Sequence, residues 1–154
     1  MKVEKDYEEL LGLFNRHNVR CCIVGSFALA FHARPRYTKD LDILVEPSSQ
    51  NAQRILDALN DFGFGSLQLS EQDFMKPGQI IQLGYEPVRI DLITSIEGMD
   101  FKEIWNNRSA GQFGETPVFF IGLNDFIKSK KAANRSQDRA DLEILLEITN
   151  KKDK

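Results

Sequence analysis

Histidine and cysteine are scarce in this chain of 154 residues, with two of each: His17, His32, Cys21 and Cys22. So few imidazoles leave little material for a histidine-based metal centre. The two cysteines are adjacent, a spacing that suits neither a structural disulfide nor a zinc site, and they read as reduced core thiols. No stretch approaches the roughly eighteen apolar residues of a membrane span, and the opening MKVEKDYEELL has no apolar signal region, so the expected compartment is the cytoplasm. An excess of positive charge is also missing. The net charge of −3 argues against a protein that wraps long nucleic acid mainly through phosphate neutralisation. There is no G-x-x-x-x-G-K-[ST] phosphate loop, internal repeat, low-complexity tract or linker.

What is present, a hydrophobic content of 42%, suffices for one ordinary core without disulfides or structural metal, so a single domain over 1–154 is expected. Tyr7, Leu10, Leu11 and Phe14 have helical spacing, and their helix should end near Asn15 to Asn18. The apolar run Cys21 to Val24 reads as a strand stopped by Gly25, with Ser26 placed to cap a helix through Phe31 that Pro35 breaks. After the loop RPRYTK, DLDILV is a second strand. Pro47 and Ser48 lead into a helix whose apolar face is Ala52, Ile55, Leu56, Leu59 and Phe62, ended by Gly63 and Gly65. Residues 79–84 and 88–93 form a hairpin across Tyr85-Glu86-Pro87. Asp100 should cap a short helix with Phe101, Ile104 and Trp105, TPVFFIG is a further strand, and helices over 123–133 and 138–148 follow, with KKDK fraying. This order implies an α/β (α+β) fold: a small mixed sheet flanked by helices, with its core at about 19–121 and a helical segment at about 122–150.

The charged residues inside the strands need an explanation. Asp40 and Asp42, spaced i, i+2, point to one face of their strand, with Cα atoms about 6.5–7 Å apart. Asp91 sits in a similar run, VRIDLI, on the same face as Arg89. A carboxylate in an apolar strand costs several kcal/mol unless it is paired, hydrogen-bonded or metal-bound. Bland readings exist: Asp40 as a solvent-rim residue at the strand start, and Asp91 in a salt bridge with Arg89. Three aspartates without histidine favour magnesium or manganese, and magnesium points to phosphate chemistry. Gly25-Ser26 at a helix N-terminus supplies an anion-holding turn, although such pairs also mark ordinary caps. Arg34, Arg36 and Lys39 precede the aspartates and could bind phosphate, or form a charged surface loop.

With these residues in hand, VGSFALAFHARPRYTKDLDILV followed by RIDLI resembles the nucleotidyltransferase superfamily related to polymerase beta. The R-x-T-x-D-[LI]-D arrangement, here Arg36, Thr38, Asp40 and Asp42, more narrowly resembles small prokaryotic members, antitoxin-linked or antibiotic-modifying. The resemblance implies that Gly25, Ser26, Arg36 and Thr38 serve the nucleotide and that Asp40, Asp42 and Asp91 are both metal ligands and catalytic residues. It further implies Mg2+ (or Mn2+), a nucleoside triphosphate co-substrate expected to be ATP, and transfer of a nucleoside monophosphate to an acceptor hydroxyl with release of pyrophosphate. The segment FIKSKKAANRSQDRADLEIL is similar to the tail of those small members. Lys130 and Lys131 could reach the triphosphate or lie on a solvated helix face, and Arg135 could pair with Asp138 or face the nucleotide. Asp138 and Asp141 read as interhelical or capping contacts rather than metal ligands, and Trp105 and Phe101 either pack the core or stack a base. The acceptor, whether small molecule, RNA or protein, stays open. So does a non-catalytic nucleotide-binding or toxin-antitoxin interaction module with the same fold, while a metal-dependent nuclease or phosphatase would not need the triphosphate-holding turn. Little chain is left for an acceptor domain, which suggests a homodimer or a partner protein.

Overall fold

The structure, a computed structural model, describes residues 5–35, 38, 40–85 and 88–152. Arg36, Lys39 and the expected turn residues Glu86 and Pro87 lie outside them. The first helix, α1 (Lys5–Arg16), buries Tyr7, Leu10, Leu11 and Phe14, as the three- and four-residue spacing predicts. It leads to β1 (Cys21–Val24), α2 (Gly25–His32) and β2 (Asp40–Val45). Next come α3 (Ser49–Phe62), a single 3-10 turn (Gly65–Leu67) and α4 (Glu71–Met75). The hairpin β3 (Ile80–Tyr85) and β4 (Val88–Ile93) precedes α5 (Phe101–Asn106), a second hairpin β5 (Ser109–Phe113) and β6 (Thr116–Phe120), and the closing helices α6 (Leu123–Ala133) and α7 (Ser136–Lys152).

Among the described residues the strands form a six-stranded sheet in the order β3-β4-β2-β1-β6-β5. The pairs β1–β6 and β2–β4 are parallel and the others antiparallel, so the sheet is mixed, as the element order implied. The centre of the sheet is buried on both faces. Leu41, Ile43 and Val45 on one side of β2 and Leu44 on the other are at most 1% exposed, and burial slackens only at the Asp40 end. One cluster of buried residues runs from Tyr7 to Leu145 and includes Cys22. Burial pushes the Cys22 thiol up to about 12 and raises that of Cys21 as well, so both stay protonated and unreactive. No helix among the described residues is long and apolar enough to cross a membrane.

Several boundaries differ from the sequence expectations for physical reasons. Ser26 does not cap α2: the helix starts two residues earlier than such a cap implies, at Gly25, and the N-cap position is Val24, whose side chain has no capping atom. Asp100 occupies the N-cap of α5 but makes no capping bond with its side chain. Strand β5 went unread because SAGQF has one large apolar residue and no alternation. It exists through pairing with β6 across a turn at Gly114, where φ is 63°. Helix α7 begins at Ser136 and continues to Lys152, beyond the 138–148 expected; the break shrinks to Asn134, in the left-handed region, and Arg135. The α3 signals hold. Ser48 accepts a bond from the Asn51 amide and Gly63 ends the helix at φ 101°.

Asn51, only 1% exposed, carries no motif, yet it joins the strands that matter most. Its side-chain oxygen accepts from the Arg20 amide at 2.7 Å, and its amide group donates to the carbonyls of Arg20 and Glu46, each at 3.0 Å. Arg20 precedes β1 and Glu46 follows β2, so one side chain ties the far end of the β1–β2 pair. Asn51→Leu removes all three bonds: the two carbonyls keep the Glu46 and Ser48 amides, the Arg20 amide loses its acceptor, and unfolding free energy should fall by roughly 1–3 kcal/mol in urea denaturation.

Candidate active site

Strand register assembles the site. In the antiparallel β1–β2 pair Val24 lies opposite Asp42, so Gly25, the next residue, arrives beside the Asp42 carboxylate. In the parallel β2–β4 pair Asp42 is level with Asp91 and Asp40 is level with Arg89. Neighbouring strands are about 4.8 Å apart, and residues in register point to the same face. The two strands therefore present a square of three carboxylates and one guanidinium.

Gly25 has φ +68°, and a Cβ there would run into Oδ2 of Asp42. Both the backbone conformation and the close approach require glycine. Asp42, Asp91 and Gly25 line a cavity of about 620 Å3, whose walls also include Lys130 and Arg135. The size suits a nucleotide-scale ligand. Burial, reinforced by Asp91 and Asp40, pushes the Asp42 carboxyl up to about 6 against the opposing pull of Arg89 and Lys130. One oxygen of Asp40, Oδ1, is buried without a hydrogen-bond partner among the described residues.

Arg89 meets Asp91 with a two-pronged ion pair, Nε to Oδ1 at 3.0 Å and Nη2 to Oδ2 at 3.1 Å, and its Nε lies 3.9 Å from Asp40 Oδ1. The bland reading of Asp91 thus describes its present contacts, while the cavity gives that contact a setting. Among the described residues no group of three or more His, Cys, Asp or Glu side chains is arranged to hold a metal ion. The donor chemistry nonetheless fits a hard cation: Asp40 Oδ1 lacks a hydrogen-bond partner among the described residues, Asp42 is held under burial and the repulsion of Asp91 and Asp40, and a cation relieves both.

The remaining candidates separate. Thr38 Oγ1 accepts from the Asp40 amide at 3.2 Å and donates to the Asp40 carbonyl at 3.1 Å, so it shapes the entry to β2. Ser26 stands on α2 next to Gly25 without lining the cavity. Lys131 is exposed. Lys130, by contrast, is not on a solvated face: its side chain is 14% exposed, and its Nζ lies 3.2 Å from Asp138 and 3.1 Å from Asp141. Those two acids, 2% and 1% exposed, are the interhelical contacts that the sequence suggested. Burial works to raise the Asp138 carboxyl, but bonds from Arg135 and Lys130 outweigh it and hold the group below the usual range. Trp105 takes no part in the cavity: the Arg108 guanidinium lies 3.8 Å over its ring and Phe119 packs edge-on, with Phe101 stacked beside it. The sequence reading missed the wall made by Gly78, Gln79, Ile80 and the segment Ser95 to Gly98. These residues carry no chemical spacing signal, and only the fold brings them opposite α6.

Comparison with known proteins adds a family and a set of folds. A family described as "Nucleotidyltransferase of unknown function (DUF6036)" matches residues 1–146. No curated protein matches the chain in sequence. Among solved structures, the lincosamide antibiotic adenylyltransferase LnuA, lincomycin-bound, is 16% identical with a TM-score of 0.59, covering 94% of this chain and 97% of its own. A nucleotidyltransferase candidate from Thermotoga maritima, TM1012, is 13% identical with a TM-score of 0.63, covering 95% and 96%. ANT(2")-Ia in complex with adenylyl-2"-tobramycin is 12% identical with a TM-score of 0.56, covering 90% and 84%. These identities carry the fold alone.

The raised Asp42 carboxyl has a stability consequence. The folded chain binds this proton more tightly than the unfolded chain, so the group's contribution to stability is present below about pH 4 and is lost as the pH rises to about 6. Asp42→Asn should therefore stabilise the protein by roughly 2–3 kcal/mol at pH 7 to 8, and the advantage should shrink towards zero by about pH 4. Chemical denaturation of both forms across that range checks the sign.

Proposed function

The chain belongs to the nucleotidyltransferase family that matches residues 1–146, and from that membership we propose that it moves a nucleoside monophosphate, supplied by ATP in a magnesium-dependent reaction, to an acceptor hydroxyl with release of pyrophosphate. The observation that carries this reading is the pairing of Asp42 with Asp91 on one cavity wall, with Gly25 against Asp42 and Lys130 across from them. Two structural neighbours support adenylyl as the group transferred: one is named an adenylyltransferase and the other holds adenylyl-tobramycin.

Asp40, Asp42 and Asp91 would hold the metal, with manganese as an alternative. When bound, it supplies positive charge against the phosphates and lowers the pKa of the acceptor hydroxyl. Glycine at position 25 lets the backbone approach the phosphates without a Cβ in the way, and α2, which starts there, directs its first amides towards an anion. Lys130, held by Asp138 and Asp141, is a fixed cation on the cavity wall suited to the charge that develops on departing pyrophosphate. Arg36, next to the site in sequence, is assigned to the same phosphates. The acceptor oxygen attacks the α-phosphorus, the bond from that phosphorus to the α–β bridging oxygen breaks, and the hydroxyl proton passes to Asp91. Residues 1–154 are proposed to act as one catalytic unit working in the cytoplasm, where nucleoside triphosphate is at hand.

The test is transfer of label from α-labelled ATP, with magnesium, to a panel of small hydroxylated molecules, RNA and protein. Wild type should label at least one class. Asp42→Asn, folded as judged by circular dichroism, should lose at least about 100-fold in rate. Undiminished transfer by that variant would remove the assignment.

A further inference from the structure

Strand β3 (Ile80–Tyr85) is one edge of the sheet: it pairs with β4 on one side, and among the described residues no strand pairs with it on the other. An edge strand offers unpaired main-chain donors and acceptors, and proteins ordinarily guard it with charge, proline or a covering segment. The sequence IIQLGY has neither charge nor proline, and the bend at Gly84, where φ is 73°, comes only near its end. Tyr85 at 84% and Ile80 at 65% are the most exposed of the large hydrophobic residues described, and both lie on this strand. The opposite edge, β5, exposes none: its large apolar residue, Phe113, is buried, and Glu8 covers the neighbouring turn through bonds from Glu115 and Thr116. The direction of the free groups on β3 follows from its hairpin. The Thr94 amide donates to the Gln79 carbonyl at 3.1 Å, so by alternation Gln79, Ile81, Leu83 and Tyr85 turn their main-chain groups to β4, while Ile80, Gln82 and Gly84 turn theirs outwards. The Gln82 side chain donates to one of these, the Gly84 carbonyl, at 3.1 Å.

We propose that β3 is the seam of a homodimer, in which two copies of the chain pair antiparallel about a twofold axis at Gln82. The axis stands perpendicular to the sheet, so Gln82 meets its own counterpart and Ile80 meets Gly84 of the second copy, with about six main-chain hydrogen bonds between the outward groups. The missing side chain at Gly84 leaves room for Ile80, and Tyr85 lies diagonal to Ile81 on the other face, so both exposed apolar groups gain cover. Nothing on the strand selects an unlike partner by charge, whereas a neutral strand laid against itself brings no like charges together. Asp91 is level with Gln82, so the two Asp91 carboxylates stand three strand spacings, about 14 Å, apart, beyond a Debye length of roughly 8–10 Å, and each has its own Arg89. Both candidate sites then open on the same face of one continuous sheet, each with the second copy's Gln82 beside its own. The dimer goes beyond the proposed reaction and does not depend on it.

The experiment is sedimentation velocity on the full chain over a dilution series, with Gln82→Lys and Gln82→Glu each alone and then mixed in equal amounts. Gln82 is exposed and does not line the cavity, so both variants should keep the circular dichroism of wild type. Wild type should sediment as a dimer that dissociates on dilution. Each variant alone sets like charges against each other at the axis and should raise the dissociation constant at least about tenfold, while the mixture should recover the dimer through a Lys–Glu pair. As a second measurement, a short bismaleimide should cross-link Gln82→Cys between chains and leave wild type uncoupled, because Cys21 and Cys22 are protonated and unreactive. A wild type that stays monomeric at every concentration, a dimer indifferent to either charge, or no recovery on mixing would overturn the proposal. So would a strand of another protein, rather than a second copy, seated on β3. Label transfer from ATP is read separately, and none of these outcomes decides it.

Discussion

The hydrogen-bond register of β1, β2 and β4 is the constraint on which the candidate site depends. Val24 opposite Asp42, and Asp42 level with Asp91, place three chain segments far apart in sequence within one row across the sheet. A slip of one residue in either ladder would turn a carboxylate to the opposite face and move Gly25 away from Asp42. The register is held away from the chemistry. Leu41, Ile43, Leu44 and Val45 fill the core on both sides of β2, and Asn51 ties the distant end of the β1–β2 pair. Burial of apolar side chains thus fixes the positions of charges that by themselves repel one another.

Those charges face two cations of different character. Arg89 comes from the same sheet face and occupies Asp91 directly. Lys130 comes from α6, across the cavity, and is gripped by two acids that are nearly inaccessible. A lysine held between two carboxylates cannot roam as an exposed one does. The cluster of Lys130, Asp138 and Asp141 joins α6 to α7 and at the same time aims one positive charge into the cavity. The buried acids of α7 are thereby explained without a catalytic role of their own.

Much of the site was legible in the chain. The i, i+2 aspartates in an apolar run, the third aspartate in a similar run, and the Gly-Ser turn after a short strand all point to carboxylate and phosphate chemistry, because each is costly or unusual unless it serves a purpose. The strands β1, β2, β4 and β6 were legible from apolar runs, and α1 and α3 from three- and four-residue spacing. Strand β5 was not, because Ser109-Ala110-Gly111-Gln112 has no preference of its own and becomes a strand only by pairing with β6. The placement of Ser26 as a cap failed because the helix already includes Gly25 and Ser26, with Val24 at the N-cap position. The standing of Lys130 was equally hidden: a lysine on a helix has the same sequence appearance whether solvated or clasped.

By itself the sequence determined which groups could do chemistry: which side chains carry charge, which strand faces they occupy and where glycine leaves room. Local spacing sets these through the two-residue alternation of strands and the absence of a Cβ. Only the tertiary structure decided which charges meet. It paired Asp42 with Asp91 rather than leaving each alone, gave both Asp91 oxygens to Arg89, closed Asp138 and Asp141 around Lys130, and drew Trp105 away to Arg108. The meeting of Asp42 with Asp91, on strands that do not follow one another in the chain, comes from strand order and packing, and strand order is a property of the whole core rather than of any local segment.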